Sequence, residues 1–353
     1  MTSEERALLA IALKEAWAAV PENIKARIKP LLDAAHEQLR TFLDTGQPPH
    51  DPNIPHQLLL VQSFLTDDQD GLLKRLDTQT ALALEISVAA GGEIWGTGKY
   101  QQLDPLWVGA FAEWAGHLIL GKHKFPEGTP TAIAMPDQVT IALAGDFGTG
   151  NFGSAPAPSK KIAGHIASLK PDYTIHLGDV YYAGTSGEEM KNFVNDWPRG
   201  SRGSLTMNSN HEMYSGGKPY FQEAVGGEVF QLQAPYSFFA LENSNWIVVG
   251  LDSAYYADEH SLYMDGSLGS SAQVPFLQGL AKRGKKVIVL THHNGLPEDG
   301  SMSAGGVAPT KLWAEVMSAF QGSPPPACWY WGHVHAGVVY KTQPNGLLCR
   351  CAG

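Results

Sequence analysis

Five short stretches of the chain carry side chains that together could hold two metal ions side by side. They are Asp146-Phe147-Gly148, Gly178-Asp179-Val180-Tyr181-Tyr182, Asn210-His211-Glu212, Thr291-His292-His293 and Gly332-His333-Val334-His335. Four of them follow a run of β-type residues directly, and the other follows a shorter run. In an open α/β sheet such positions converge at the carboxyl ends of the strands, where ligands bind. A paired-metal hydrolase needs an oxygen ligand shared by both ions and carboxylates to offset charge. It also needs imidazoles that leave positions open for substrate and water. Asp179 is the expected bridge, because it stands at the tip of the apolar run 173–177, behind the small Gly178. Tyr182, three residues further on, can swing back to the same place. His333 and His335 are two apart, so an extended segment projects both to one face and Val334 to the other. One ring is then available to each ion.

Taken in order, Asp-x-Gly, Gly-Asp-x-x-Tyr, Asn-His-Glu, x-x-His and Gly-His-x-His resemble the calcineurin-like metallophosphoesterases, and most of all the purple acid phosphatases. Most of that superfamily has Asp-x-His in the first motif. Here Gly148 stands at the His position and Tyr182 appears in the second motif, which is the purple acid phosphatase variation. The resemblance covers about residues 138–353 and does not reach residues 1–130. It implies a mixed α/β (α+β) sandwich of two face-to-face β-sheets flanked by helices. Residue by residue, it implies a first ion held by Asp146, Asp179, Tyr182 and His335. The second ion would take Asp179, Asn210, His292 and His333. His211 would bond the phosphate or protonate the leaving group. Ser209 stands where the family usually has Gly, which ordinary backbone angles tolerate. The loop 294–307 lacks the further His that several members place there.

The implied ligand sets differ in charge. Hard anionic oxygens at the first position favour iron(III), while the imidazoles of the second suit a divalent partner such as iron, zinc or manganese. Two divalent ions remain an alternative, since a tyrosine need not ionise. The implied reaction is hydrolysis of a small-molecule phosphate ester, monoesters ahead of diesters. Members of the fold that serve as scaffolds lack part of the metal set, and here none is missing.

Other features have plainer readings. Gly148, Gly150 and Gly153 match the dinucleotide fingerprint, but that motif needs a helix opening at the glycines. Pro156 and Pro158 delay any helix here. The glycines read instead as a rim, with Asn151 as a phosphate contact and His293, beside His292, as a second candidate substrate contact. His165 and His176 read as structural, and Asp252 as a turn former.

Composition sets wider bounds. A net charge of −10, from 35 acidic and 25 basic residues, offers no footprint for a nucleic-acid backbone. No apolar run reaches the ~20 residues that span a bilayer. The amino end is acidic, unlike a signal peptide. Cys349 and Cys351 share a strand face, poorly placed to pair, and with Cys328 make an odd count. A reduced, cytoplasmic protein is expected.

Two regions position these residues. Residues 1–130 read as a helical domain, opened by the capping-box spacing of Thr2 and Glu5 and by the stripe Leu9, Leu13, Trp17 and Val20. Pro21 starts a second helix with Ile24, Ile28, Leu31, Ala35, Leu39 and Phe42 on one face. Residues 137–353 read as the catalytic domain. Strands are expected at 139–145, 173–178, 204–208, 245–251, 286–291 and 327–332. Helices are expected at 159–169, 271–282 and 310–320. A final hairpin should turn at Asn345-Gly346.

Overall fold

The computed structural model describes residues 1–48, 54–82, 87–88, 94–151, 155–297, 302–303, 306–307 and 310–353. The chain divides into two compact units. One is Met1–Gly121 with His260–Leu262, and the other is Lys122–Glu259 with Tyr263–Gly353.

The first unit is helical. Helix α1 (Ser3–Ala19) opens on the capping box: Glu5 N donates to Thr2 Oγ1 at 3.1 Å, and Thr2 N donates to Glu5 Oε2 at 2.6 Å. Helix α2 (Glu22–Thr45) ends at Gly46, whose φ of 67° is the left-handed cap that glycine accepts without strain. It buries Ile28, Leu32, Ala35, Leu39 and Phe42, so Leu32 replaces the expected Leu31 on the inner face. Helices α3 (Val61–Leu65), α4 (Leu72–Leu82) and α5 (Trp107–Leu120) complete it, with Trp107, Phe111 and Trp114 of α5 fully buried. A groove of about 920 Å³ lined by Leu8, Leu9, Phe64, Leu73, Leu76 and Leu106 lies in this unit.

The second unit holds two principal sheets. The larger has seven strands in the order β1-β5-β6-β7-β10-β12-β11. These are β1 (Ile133–Ala134), β5 (Phe239–Glu242), β6 (Trp246–Leu251), β7 (Lys286–Thr291), β10 (Cys328–Trp331), β12 (Leu348–Ala352) and β11 (Gly337–Val339). Strands β6, β7, β10 and β12 run parallel. The smaller sheet is wholly parallel, in the order β2-β3-β4, with β2 (Ile141–Ala144), β3 (Tyr173–His176) and β4 (Gly203–Thr206). A short ribbon pairs β8 (Met302–Ser303) with β9 (Gly306–Val307).

Alternation along the strands sorts residues into two cores. Ile175, Leu177 and Leu205 of the small-sheet segments pack against Leu241, Val248 and Leu290 of the large sheet. On the other face of the large sheet, Ile247, Val249, Val289 and Trp329 meet Leu277 and Leu280 of α9 (Gln273–Ala281) and Leu312 and Val316 of α10 (Lys311–Ser318). A fully buried large aliphatic side chain contributes about 1.5–3 kcal/mol. An exposed ion pair such as Arg202–Asp172 contributes roughly 0–1 kcal/mol. The two apolar layers therefore hold the strand ends in place. The second unit is thus a sandwich of two sheets with helices on the outer face of the larger one, and the helical unit precedes it in the chain.

Strands β1 and β5 were not expected from the sequence. Phe239, Ala240 and Leu241 are buried, so β5 shows no alternation, and a short unbroken apolar run does not distinguish strand from helix. The segment 184–202, where no element was expected, contains helix α7 (Ser186–Glu188) and a π-turn over Glu189–Val194. Helix α6 (Pro158–Ser168) starts at Pro158, well past the glycines, as the two prolines dictate. Residues 152 and 153 of the glycine rim, and much of the loop 294–307, lie outside the described residues.

Candidate metal centre

Each metal-type motif lies just past the carboxyl end of a parallel strand. Asp146 follows β2, Asp179 follows β3, Asn210 follows β4, His292 follows β7 and His333 follows β10. The β2–β3 pairing continues beyond the strands through Asp146 N→Gly178 O (2.9 Å), Gly148 N→Asp179 O (3.1 Å) and Tyr181 N→Gly148 O (3.0 Å). Four of the chemistry-bearing residues have left-handed backbones: Asp146 (φ 52°), Asp179 (φ 77°), His333 (φ 69°) and His335 (φ 53°). That region costs an ordinary residue roughly 1–2 kcal/mol, and Asp and His are among the types that enter it most readily. The strain sharpens each turn and aims the side chain across the strand ends. At Gly178 (φ 100°) an added Cβ would stand 2.6 Å from His292 Nδ1, so both conformation and space require glycine there.

The side chains converge in two clusters that share Asp179. In the oxygen-rich cluster, His335 Nε2 lies 3.4 Å from Asp179 Oδ2 and 3.6 Å from Asp146 Oδ1. In the nitrogen-rich cluster, His292 Nε2 lies 2.9 Å from Asn210 Oδ1, 3.2 Å from His333 Nδ1 and 3.3 Å from Asp179 Oδ1. His211 Nε2 faces Asp179 Oδ2 at 3.9 Å, while its Nδ1 donates to the Tyr182 carbonyl at 2.6 Å.

Tyr181, not Tyr182, brings its hydroxyl to the oxygen-rich cluster. Its Oη lies 2.7 Å from His335 Nε2, 3.0 Å from Asp179 Oδ2 and 3.4 Å from Asp146 Oδ1. Tyr182 is the tyrosine expected from the resemblance, and the backbone accounts for the placement of Tyr181. Tyr181 N is held in the continued β2–β3 ladder, which keeps Tyr181 on the face of Asp179. The main chain of Tyr182 is engaged elsewhere: its N–H donates to Glu188 Oε1 and its carbonyl accepts from His211.

Two further expectations change. His293 is buried and both its ring nitrogens are engaged, Nδ1 with Ser253 Oγ at 2.9 Å and Nε2 with the Tyr263 carbonyl at 2.7 Å. It packs against the His333 ring, with centroids 4.7 Å apart, so it supports that ring and has no nitrogen to offer a substrate. Asn151 is exposed, and its Oδ1 accepts from Ala157 N, which ties the side chain to its own loop. His176 is buried in β3 against Thr206, and Asp252 Oδ1 accepts from Ala254 N and Tyr255 N, as a turn former does. Ser209 has φ −135°, ordinary extended backbone, and its Oγ accepts from His211 N.

Supporting residues outside the expected set also surround the centre. Tyr214 Oη accepts from Asn210 Nδ2 at 3.0 Å. Glu212 is buried beside the Ser209 hydroxyl. The spacing Ser209-x-x-Glu212 was the available signal for Glu212, since it is that of a capping box. No sequence pattern marks Tyr214.

The chemistry of the donors fits cations. His292 Nδ1 lies 2.8 Å from the Leu177 carbonyl and must donate to it, so Nε2 presents a lone pair. That lone pair faces the oxygens of Asn210 and Asp179. In the other cluster the Tyr181 hydroxyl faces two carboxylate oxygens, of Asp146 and Asp179, and the ring nitrogen of His335. Asp146 Oδ2 and Asp179 Oδ1 are buried without hydrogen-bond partners. So many lone pairs directed at one another are costly unless positive charge sits among them. Burial lowers His292 to about 3 and His333 well below the usual histidine range, so both rings are neutral donors. Burial and then the Asp179 charge push Asp146 well above the carboxylate range. At Asp179 burial acts upward, but His211 and His292 outweigh it and hold the group well below that range.

Among the described residues all three cysteines are free, and no helix is long and apolar enough to cross a membrane. No curated protein matches the chain. Similar solved structures include a dimetal phosphatase from Danio rerio, 15% identical with a TM-score of 0.42, the match covering 60% of this chain and 86% of that one. Another is the phosphopantetheinyl hydrolase of Mycobacterium tuberculosis, 14% identical with a TM-score of 0.35, covering 61% and 89%. The calcineurin-like phosphoesterase profile matches residues 139–337, more than half of the chain, and the protein belongs to that family of metal-dependent phosphoester hydrolases.

Proposed function

We propose that the protein is a phosphomonoesterase that works through two metal ions, in the manner of the purple acid phosphatases. The observation that supports this most is the pair of clusters joined at Asp179, each rich in lone pairs and poor in protons. Asp146, Asp179, Tyr181 and His335 would hold the first ion, with Tyr181 in the place expected of Tyr182. Asp179, Asn210, His292 and His333 would hold the second. Carboxylate and phenol oxygens suit iron(III) at the first position, and imidazoles suit divalent iron, zinc or manganese at the second. Two bound ions would polarise water and offset the charge of the phosphoryl oxygens.

The chain's own groups do the rest. Asp179 would be shared by the two positions, since Oδ1 faces His292 and Oδ2 faces His335. His211 is anchored through Nδ1 and keeps Nε2 directed at the centre. Burial lowers its pKa, so the ring would donate to the ester oxygen only in the fraction that is protonated. Gly178 and the left-handed turns keep the ligands from relaxing outward. Free cysteines are consistent with a reducing, cytoplasmic location, and a small phosphate ester is the substrate class we assign.

The test is one preparation assayed for metal by elemental analysis and for hydrolysis of p-nitrophenyl phosphate and bis(p-nitrophenyl) phosphate. We expect two ions per chain, faster cleavage of the monoester, and loss of activity with a chelator. Preference for the diester would make the protein a phosphodiesterase of the same family. Metal-replete protein inert on both esters would sink the reading.

A further inference from the structure

His211 turns Nε2 to the centre, and a single peptide group holds the ring from behind. Its Nδ1 lies 2.6 Å from the Tyr182 carbonyl, which can only accept, so Nδ1 carries a proton. The N–H of that same peptide belongs to Ala183, and it donates to Glu188 Oε2 at 3.1 Å. The Tyr182–Ala183 peptide is trans, so its C=O and N–H point to opposite sides. It stands between His211 and Glu188, with its oxygen on the ring and its hydrogen on the carboxylate.

The carboxylate accepts in only one of the two ways this peptide can face. Four donors meet Glu188: Tyr182 N at Oε1, and at Oε2 Ala183 N, Thr185 N (3.0 Å) and Thr185 Oγ1 (2.9 Å). An ionised carboxylate has no hydrogen to give. With the peptide turned over, the Tyr182 carbonyl would face that carboxylate, acceptor against acceptor, and the Ala183 N–H would face His211 Nδ1. An imidazolium carries hydrogen on both nitrogens, so a ring whose Nδ1 meets an N–H is not an acid at Nε2. Ala183 is 2% and His211 1% exposed, so water does not readily replace either partner. A separate bond, Gly184 N→Val180 O at 2.9 Å, closes the turn, which therefore does not depend on Glu188 alone.

We propose that Glu188 is a positioning residue: it locks the Tyr182–Ala183 peptide so that the Tyr182 carbonyl holds His211 with Nε2 toward the ester oxygen. The inference rests on the reading of His211 as proton donor to the leaving group.

The experiment compares two monoesters on metal-loaded, full-length protein. p-Nitrophenyl phosphate has a leaving group that departs without a proton, and phenyl phosphate has one that needs it. His211→Ala should lose about 100-fold or more on phenyl phosphate and less on p-nitrophenyl phosphate. Glu188→Ala should keep its metal and lose about 10–100-fold on phenyl phosphate, the scale of a misplaced catalytic group, with a smaller loss on p-nitrophenyl phosphate. The double variant should be no slower than His211→Ala, because both changes remove one function. Glu188→Gln keeps an acceptor at one oxygen; it should show the same bias more weakly, and it is judged in place of Glu188→Ala if that variant does not fold. If His211→Ala slows both esters equally, the proton-donor reading fails and this inference goes with it. If His211→Ala discriminates but Glu188→Ala slows both esters equally, matches wild type, adds its full effect to that of His211→Ala or loses metal, the role of Glu188 alone is overturned.

Discussion

The two halves of the centre share Asp179 but are built by different means. The nitrogen-rich half is buried, and contacts from behind support its groups: Leu177 on His292, Tyr214 on Asn210, and His293 packed against His333. The oxygen-rich half is more open, with the His335 side chain 43% exposed. There the backbone does the aiming, through left-handed turns at Asp146, Asp179 and His335 and through a ladder that continues past the strands. One half relies mainly on side-chain partners, with a left-handed turn at His333 as well, and the other relies on main-chain geometry. Substitutions behind the ligands should therefore damage the first half, while changes in turn geometry should damage the second.

The largest effect should come where the halves meet. Asp179→Asn removes negative charge from both positions, and hydrolysis should fall on the order of a thousandfold, the scale of several kcal/mol of lost charge stabilisation. Elemental analysis should show both ions depleted. Full metal content in this variant would contradict the shared bridge.

Next come the substitutions that separate the halves. His335→Ala should release the ion of the open half and keep the other, and His292→Ala should do the reverse. Each should lower activity by at least the ~100-fold that loss of an outer partner of a ligand can reach. If either substitution empties both positions equally, the halves are not independent and the contrast between them fails.

The two tyrosines refine the open half. Tyrosinate bound to iron(III) absorbs visible light, so oxidised, iron-loaded protein should be coloured. Tyr181→Phe should bleach it and lower activity roughly 10–100-fold, whereas Tyr182→Phe should keep the colour. The opposite result would return the role to Tyr182 and show that the turn after Asp179 rearranges when iron binds.

The smallest effect is expected at Ser209, which caps helix α8 (Asn210–Tyr214) through its hydroxyl. Ser209→Gly restores the residue usual in the family. It should shift stability by only a few tenths of a kcal/mol, the usual difference between Ser and Gly at a helix start. A melting curve and metal content near wild type would show that the extended backbone at Ser209 carries no special demand.

Much of the second unit is legible in its amino-acid order. Strands β2, β3, β4, β6, β7 and β10 lie within a few residues of the expected spans; β6 and β7 are the plainest, as parallel strands written in unbroken apolar β-branched runs. Helices α6, α9 and α10 are marked by apolar spacing and prolines. Strand β5 is hidden by burial on both faces. The short helices and π-turns between 184 and 225 are hidden by their length, since a few residues do not establish a period.

In the centre the division runs between residue type and direction. Sequence alone determined the donor types and the strand ends that carry them, because a strand's last residues are placed by the sheet and Asp, Asn and His are types chosen for their lone pairs. Tertiary structure decided where each group points past the strand end. Tyr181 and Tyr182 differ by one position in an irregular turn, and a hydrogen bond from Tyr181 N to the carbonyl of Gly148, on the neighbouring strand's extension, holds Tyr181 beside Asp179. His293 sits next to His292 in the chain, yet Ser253 and Tyr263 draw its nitrogens away from any substrate. The Asn210 amide nitrogen meets Tyr214 Oη and the sulfur of Met264, 54 residues away. Such choices follow from partners distant in sequence, whose hydrogen bonds exist only after the two sheets have packed.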